Sequence, residues 1–231
     1  MGNTVKTLFH GSDKIIDKPS FGAGKKANDY GQGFYCTEDK ELANEWACRH
    51  KSEGFCNQYT LSMEGLSVLN LNSSGYNVLN WLALLLKNRE FGISNPTAAS
   101  VKEYILANYL PDLTSIDVII GYRADDSYFD YAKSFVSNSL PLSKLEWILK
   151  NGNLGLQLAL VSEKAFENLS FVLAESVSEK IYYPLISARE KKAKSEYLNL
   201  LDSNKFDKNE IYAIDIIRNE MSDYVPRISE V

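Results

Sequence analysis

The order of the predicted elements along the 231 residues indicates an α+β fold. Short strand-like segments come first, a helical block follows, more strands come after it, and two charged helices form a C-terminal tail. Strands and helices do not alternate one for one, which argues against a doubly wound parallel sheet. The sequence therefore predicts sheet strands interrupted by a helical insertion at about 76–152 and followed by a helical tail.

The first predicted strand is residues 4–10, "TVKTLFH", where apolar and polar residues alternate in the period of a strand. Gly11 and Ser12 are expected to end it. Residues 13–33 are polar and rich in glycine and lysine, which predicts a loop, and a loop of this length usually has a functional reason. The segment "GFYCT" then predicts a short strand, with Thr37 as the N-cap of a following helix.

The remaining elements follow from apolar periodicity, turn residues and helix caps. Further strands are predicted at 57–63, 66–72, 117–122, 154–161 and, with a break, 171–183. Further helices are predicted at 76–90, 96–109, 127–136, 142–152, 163–169, 186–202 and about 207–221. This organisation predicts a domain at 1–184 that carries the insertion, and a helical C-terminal extension at 185–231.

Composition excludes several classes of protein. The net charge of -5 argues against a protein that binds nucleic acid by neutralising phosphates. The three cysteines form no CxxC pair, and their odd number favours a reducing compartment over a disulfide scaffold. Two histidines and three irregularly spaced cysteines do not suit a metal site. No apolar run is long enough to span a bilayer or to serve as a signal peptide, so we expect a cytoplasmic protein without a metal or a membrane partner.

Taken singly, the chemically interesting residues have ordinary explanations. His10 at a strand end is more often structural than catalytic. The glycines of "YGQG" precede a strand, so they are not a dinucleotide-binding fingerprint. Trp46 on an amphipathic helix is typical of a core residue, and Asp125-Asp126 is typical of a helix cap.

In combination, four segments have a more specific meaning. They are "HGS" at 10–12, "GFYCT" at 33–37, "ADD" at 124–126 and "LGLQ" at 154–157. In this order they resemble the catalytic domain of the ADP-ribosyltransferases, in the branch of diphtheria toxin and the poly(ADP-ribose) polymerases. The chain resembles most closely a group of bacterial domains of unknown function with that fold. The resemblance covers residues 5 to about 172, and it implies an ADP-ribosyltransferase-like split β-sandwich that uses NAD as co-substrate.

The resemblance also implies roles for individual residues. His10 would bind the ribose of the adenosine half of NAD, and the backbone of Gly11 would hold the nicotinamide carboxamide, which a residue without a side chain allows. Tyr35 would stack on the nicotinamide ring. In the polymerases a second aromatic residue lies eleven positions after this tyrosine, and that position corresponds to Trp46 here. Gly33 belongs to the glycine turn that opens the "GFYCT" motif.

Two positions depart from the family pattern. The serine that binds the carboxamide falls at Ala43, and Ser12 and Thr37 remain open as replacements. The glutamate that stabilises the positive charge of the transition state falls at Gln157, which keeps a hydrogen bond and loses the charge. The sequence therefore leaves open that a carboxylate comes from elsewhere, with Asp126 preferred over Asp125.

The resemblance implies that the protein transfers single ADP-ribose units to a macromolecule. The net charge of -5 slightly favours a protein over a nucleic acid as the acceptor. Bacterial proteins of this fold often act as toxins or in defence, which implies an antitoxin protein as a partner. The alternatives are an NAD hydrolase and a module that binds NAD or ADP-ribose without catalysis. Transfer of an RNA 2′-phosphate ranks low, because only Arg49 and Arg123 are near the motifs.

Overall fold

The computed structural model of the chain describes residues 5–93, 95–124, 126–151, 155–202 and 209–219. It confirms a mixed α+β fold with two sheets, several helices and a helix near the C-terminus. The described strands are β1 Val5–Ser12, β2 Phe34–Cys36, β3 Gly54–Ser62, β4 Val68–Asn70, β5 Val118–Tyr122, β6 Leu156–Leu160 and β7 Leu169–Val177. The described helices are α1 Lys40–Ala47, α2 Val78–Asn88, α3 Pro96–Tyr109, α4 Asp126–Val136, α5 Leu142–Asn151, α6 Glu163–Glu167, α7 Glu179–Asp202 and α8 Ala213–Arg218.

Two sheets carry the strands. The first has the order β1-β3-β7 and is antiparallel. The second has the order β2-β6-β5-β4, and only β4 and β5 run parallel in it. Within the described residues a single bridge joins the sheets, where Phe9 N–H donates to Thr37 O at 2.7 Å and Thr37 N–H donates to Phe9 O at 2.9 Å. Strands β1 and β2 are therefore neighbours at this point.

One apolar cluster draws side chains from both sheets. Its buried members are Leu8, Cys36, Leu61, Val118, Leu158, Leu160 and Ala165. Burial of each large aliphatic side chain contributes about 1.5–3 kcal/mol, so this cluster is a main source of stability for the strands. Because side chains alternate along a strand, the residues between these members lie on the opposite faces of the two sheets.

The chain divides into two compact units. The first consists of Met1–Asn70, Leu113–Arg123 and Gly155–Lys192, and it holds all the described strands. The second consists of Leu71–Asp112, Ala124–Leu154 and Ala193–Val231, and it holds α2 to α5 and α8. The domain boundaries drawn from the sequence stay a prediction.

The helical unit begins with well-defined caps. Asn77 caps α2 because its Oδ1 accepts from Leu79 N–H at 2.8 Å. Asn95 caps α3 in the same way, accepting from Ala98 N–H at 2.8 Å, and Pro96 occupies the first turn of the helix, which the sequence predicts at 96–109. The core of this unit contains Trp81, which is 2% exposed, and a run of fully buried leucines on α2.

The N-cap predicted for α1 is wrong by two residues. The cap is Asp39, whose Oδ1 accepts from Glu41 N–H at 2.9 Å and from Leu42 N–H at 3.3 Å. Thr37 cannot begin the helix because its backbone is paired with Phe9, and its hydroxyl accepts from Asp39 N–H at 3.1 Å instead. Strand β1 also runs on through Gly11 and Ser12, which were expected to end it.

The strand predicted at 171–183 is correct only in its first half. Strand β7 ends at Val177, and α7 begins at Glu179 and continues past Pro184 as one helix. The helix is favoured by its packing on α1, because the Tyr182 hydroxyl accepts from Asn44 Nδ2 at 2.8 Å. Ile186 is buried in one apolar cluster with Ala43 and Ala47 of α1. The helix predicted to begin at residue 186 therefore begins earlier.

Candidate functional site

His10 and Tyr35, from the two motifs closest to the N-terminus, are in direct contact. His10 Nδ1 lies 2.6 Å from the backbone oxygen of Tyr35. A carbonyl oxygen can only accept, so Nδ1 carries the hydrogen and Nε2 of the neutral ring is an acceptor. Burial lowers the pKa of His10, and the bond to Tyr35 opposes this only in part. The ring is therefore neutral at pH 7, with Nε2 able to accept a hydrogen bond from a hydroxyl group.

The backbone of Gly11 faces the edge of β1 that borders β2. Phe9 directs its N–H and C=O to Thr37, and in a strand the residue two positions further directs its backbone groups the same way. Continuing that register would place Gly11 opposite Tyr35. Among the described residues, however, the bridge at Phe9 and Thr37 is the only one between β1 and β2, since the Tyr35 carbonyl accepts from His10 instead. The edge of β1 at Gly11 thus offers one donor and one acceptor next to Tyr35.

The other side of Gly11 packs against α1. A Cβ on Gly11 would collide with Ala43 O and would lie 2.5 Å from Ala47 N and 2.8 Å from Trp46 Cβ. Glycine is therefore required here by the close approach of β1 to α1. The role of Gly11 in ligand binding stays a prediction, and helix packing is a separate reason for glycine at this position.

Tyr35 anchors the turn that precedes its own strand. Its hydroxyl donates to Gly31 O at 2.7 Å and accepts from Tyr30 N–H at 3.0 Å. The rings of Tyr30 and Tyr35 are nearly parallel, with centroids 6.5 Å apart. Tyr30 is buried, and its hydroxyl donates to Tyr122 O at 2.6 Å at the end of β5. The turn is thereby bound both to β2 and to β5.

Gln157 lies on the same face of the second sheet as Tyr35. Tyr35 pairs with Ala159 on β6, and Gln157 is two residues away, while Leu158 between them faces the apolar cluster. Gln157 Nε2 donates to Asp29 Oδ2 at 2.9 Å. Both side chains are buried, with 4% of Gln157 and 7% of Asp29 exposed. A carboxylate therefore lies beside the position at which the sequence indicates a loss of charge.

Asp29 is the residue that the sequence argument missed. It lies 128 positions before Gln157, in a loop without periodicity, so no spacing pattern connects the two. Its only signal in the sequence is that it directly precedes the "YGQG" turn. The carboxylates proposed instead cannot be compared with it, because Asp125 and the side chain of Asp126 lie outside the described residues, although Asp126 is the first residue of α4.

The other predicted site residues have local partners. Ser12 Oγ donates to Asp13 Oδ1 and accepts from Lys14 N–H, each at 3.3 Å. The Thr37 hydroxyl is engaged by Asp39 N–H, as described above. Gly33 packs closely on β6, because a Cβ there would lie 2.7 Å from Leu160 O. The two hydroxyl candidates for the carboxamide contact are thus already engaged within the chain.

Trp46, on α1, lies next to Gly11 of β1, and the guanidinium group of Arg123 lies over its indole ring. The guanidinium carbon of Arg123 is 5.7 Å from the centroid of the indole ring. The indole Nε1 is buried and has no hydrogen-bond partner among the described residues. Its neighbour Glu45 forms an ion pair with Arg189 of α7. Burial raises the pKa of Glu45, and the two arginines oppose that shift.

The long loop at 13–33 is fixed by buried polar side chains. Asn57 is fully buried, and its Oδ1 accepts from Ile16 N–H at 2.9 Å while its Nδ2 donates to the carbonyls of His10 and Lys14, each at 3.2 Å. Gln32 Nε2 donates to Gly24 O at 2.9 Å. Because buried polar groups are costly to leave unpaired, these bonds hold the loop in one course beside the site.

The described part of the chain contains neither a cluster of metal ligands nor a helix that could span a membrane. No group of three or more His, Cys, Asp or Glu side chains there is arranged to hold a metal ion. No helix within those residues combines the length and the apolar character that a bilayer span requires.

Comparison with known proteins relates the chain to a family of unknown function. A family model with the description "Protein of unknown function (DUF3990)" matches residues 6–171. That range contains His10, Tyr35, Asp29 and Gln157. No curated protein matches the chain, and no solved structure matches it.

Proposed function

Because this chain belongs to DUF3990, a family of unknown function, its activity has to be argued from its own site, and we propose that it is an NAD-dependent mono-ADP-ribosyltransferase. The observation that carries the proposal is the bond of 2.6 Å between His10 Nδ1 and Tyr35 O. This bond unites the "HGS" and "GFYCT" motifs and fixes the orientation of the imidazole. The resemblance described above assigns both residues to NAD binding.

Three groups at this place suit three parts of NAD. His10 Nε2 would accept a hydrogen bond from a ribose hydroxyl. The N–H and C=O of Gly11 would bind the carboxamide, which itself has both a donor and an acceptor. The ring of Tyr35 would support the flat nicotinamide ring with little loss of conformational entropy.

The reaction breaks the bond between the nicotinamide nitrogen and the ribose carbon. The electron pair of that bond stays on nicotinamide, which leaves as a neutral molecule, and positive charge develops on the ribose. A nucleophile on the acceptor then donates its lone pair to the same carbon and loses its proton to solvent. Negative charge placed near the ribose stabilises this transition state more than the ground state.

The acceptor is proposed to be a protein side chain, since the net charge of -5 does not favour nucleic acid. Transfer of single ADP-ribose units is preferred over chain elongation, because Gln157 replaces the glutamate of the polymerases. The resemblance to bacterial toxins of this fold supports a cytoplasmic effector that an antitoxin protein neutralises. The three cysteines are free and buried, which agrees with a reducing compartment.

Two alternatives follow from the same site. If water is the acceptor, the protein is an NAD hydrolase. If Gln157 leaves too little charge for bond cleavage, the protein is a module that binds NAD or ADP-ribose; the observation in its favour is that the residue on β6 is an amide.

The test is incubation of the full chain with NAD labelled in the adenylate, with a cell lysate as the source of acceptors. Nicotinamide release and the location of the label are measured by chromatography. His10→Ala is expected to abolish both, whereas His50→Ala is the matched control, because His50 is exposed and follows α1. Label on a macromolecule supports the transferase, and label in free ADP-ribose supports the hydrolase. Calorimetric binding without nicotinamide release supports the module, and neither binding nor release would contradict all three.

A further inference from the structure

Asn57 is a fully buried side chain that joins His10 to the start of the long loop. In the antiparallel pair of β1 and β3 it lies directly opposite His10, so the two side chains are on the same face of the sheet. Its Nδ2 donates to the carbonyls of His10 and Lys14, each at 3.2 Å, and its Oδ1 accepts from Ile16 N–H at 2.9 Å. One amide therefore binds both the strand at His10 and the loop segment 14–16.

A second side chain of β3 holds the same loop segment. The Tyr59 hydroxyl donates to Ile16 O, so β3 binds both the N–H and the C=O of Ile16. The ring centroid of Tyr59 lies 5.5 Å from that of Phe34, and the ring centroid of Phe34 lies 4.4 Å from that of His10. The hydroxyl of Tyr59 thus fixes the loop, while its ring supports the aromatic ring on which the imidazole packs.

Polar bonds, rather than apolar burial, decide where segment 14–16 lies. Ile15 in its middle is 53% exposed, whereas Asn57 and Tyr59 are fully buried. A buried amide or hydroxyl is costly unless it is hydrogen-bonded, so the segment and the two side chains depend on each other. A segment held in this way keeps one conformation beside His10.

We propose that Asn57 is a positioning residue for NAD, which holds His10 and segment 14–16 together as the wall that binds the adenosine half of the molecule. The inference rests on the proposed function and deepens it, because it divides the site into two parts that different contacts hold. Tyr35 and Gly11, which would bind nicotinamide, are fixed by the bonds of the Tyr35 hydroxyl and by the packing of Gly11 on α1. Loss of the Asn57 bonds should therefore weaken binding of the adenosine half alone.

The physical effect is one of preorganisation. Without the Asn57 bonds, segment 14–16 has to be ordered each time NAD binds, and that loss of conformational entropy reduces the affinity. The cost is the same for the bound substrate and for the transition state, so KM rises while kcat stays near that of the wild type.

The first variant removes the amide. Asn57→Leu nearly keeps the size of the side chain and removes all its bonds, so the Kd for ADP-ribose and the KM for NAD are expected to rise about tenfold. Asn168→Leu is the matched control, because Asn168 Nδ2 donates to the carbonyls of Ser62 and Glu64 at 3.1 and 3.3 Å, where β3 ends. The control is expected to lose stability without a change in either constant.

The second variant releases the same segment and leaves Asn57 in place. Tyr59→Phe keeps the packing of the ring and removes only the donation to Ile16 O, so the Kd for ADP-ribose is expected to rise about threefold. Tyr182→Phe is its control, because the Tyr182 hydroxyl bonds to Asn44 of α1 rather than to the loop. If Asn57→Leu does not fold, this pair decides the inference.

The two halves of NAD separate a positioning role from a purely structural one. Calorimetry gives the Kd for ADP-ribose, and nicotinamide release gives KM and kcat, with AMP and nicotinamide as inhibitors. In Asn57→Leu the inhibition constant of AMP is expected to rise as KM does, and that of nicotinamide to stay near the wild-type value. Thermal unfolding is followed for each variant in parallel.

The outcomes separate this inference from the proposed function. If the wild type neither binds ADP-ribose nor releases nicotinamide, the proposed function fails and the inference fails with it. If the wild type is active and both Asn57→Leu and Tyr59→Phe bind ADP-ribose as tightly as their controls, only the inference is overturned. If inhibition by AMP and by nicotinamide weakens equally, or if kcat falls while KM stays, Asn57 only stabilises the fold, and the inference is again overturned.

Discussion

Replacing Gly11 by alanine tests the packing on which the site is built. The added Cβ would lie 2.5 Å from Ala47 N and 2.8 Å from Trp46 Cβ, and it would collide with Ala43 O. Two of these neighbours are backbone atoms of α1, so no side-chain rotation relieves the contact. The helix must move by about 1 Å or the strand must shift, and overpacking of this kind costs up to about 3 kcal/mol.

The effect can be measured by thermal unfolding followed by circular dichroism. For a chain of this length, 1 kcal/mol corresponds to about 2–4 °C, so Gly11→Ala should lower the unfolding temperature by up to about 6–12 °C. Gly75→Ala is the control, because a Cβ on the exposed Gly75 meets nothing within 4 Å. Equal unfolding temperatures for the two variants would refute the placement of α1 against β1 at Gly11.

Two further predictions concern His10 and the cap of α1. Because burial lowers the pKa of His10, the unfolded chain binds a proton below about pH 6.5 that the folded chain does not, so stability falls as the pH falls from 7.5 to 5.5. Between these two pH values the urea midpoint of unfolding should decrease less in His10→Gln than in the wild type. In His50→Gln, where the replaced histidine is exposed, it should decrease as much as in the wild type. Asp39→Ala removes two bonds to the first turn of α1 and should cost about 1 kcal/mol in thermal unfolding. Asp17→Ala, in the exposed loop, should cost nothing; an equal loss in both would contradict the cap.

Elements with strong local signals could be predicted from the sequence. Strand β1 follows from alternation around Leu8, and α3 begins at Pro96 after the Asn95 cap. Ser162 caps α6, directly before the helix predicted at 163–169, and accepts from Ala165 N–H at 3.1 Å. In each case the residues that decide the structure lie within a few positions of one another. The contact between His10 and Tyr35 also joins motifs that are close in sequence.

Features that depend on distant partners could not be predicted. The pairing of Asp29 with Gln157 links a loop to a strand, and neither residue type specifies the other. The start of α7 was misjudged because Ile181, Tyr182 and Tyr183 favour strands, whereas packing on α1 favours the helix. Both outcomes were decided by tertiary contacts that override local preference.

The most direct test of the proposed activity is mass spectrometry of cells that express the full chain. The account predicts macromolecules that carry a single ADP-ribose unit in cells with the wild-type protein. It predicts their absence in cells that express His10→Ala, and their presence with the control His50→Ala. Wild-type cells without any such adduct, and with NAD at the level of cells that lack the protein, would contradict the proposal that this site cleaves NAD and transfers ADP-ribose.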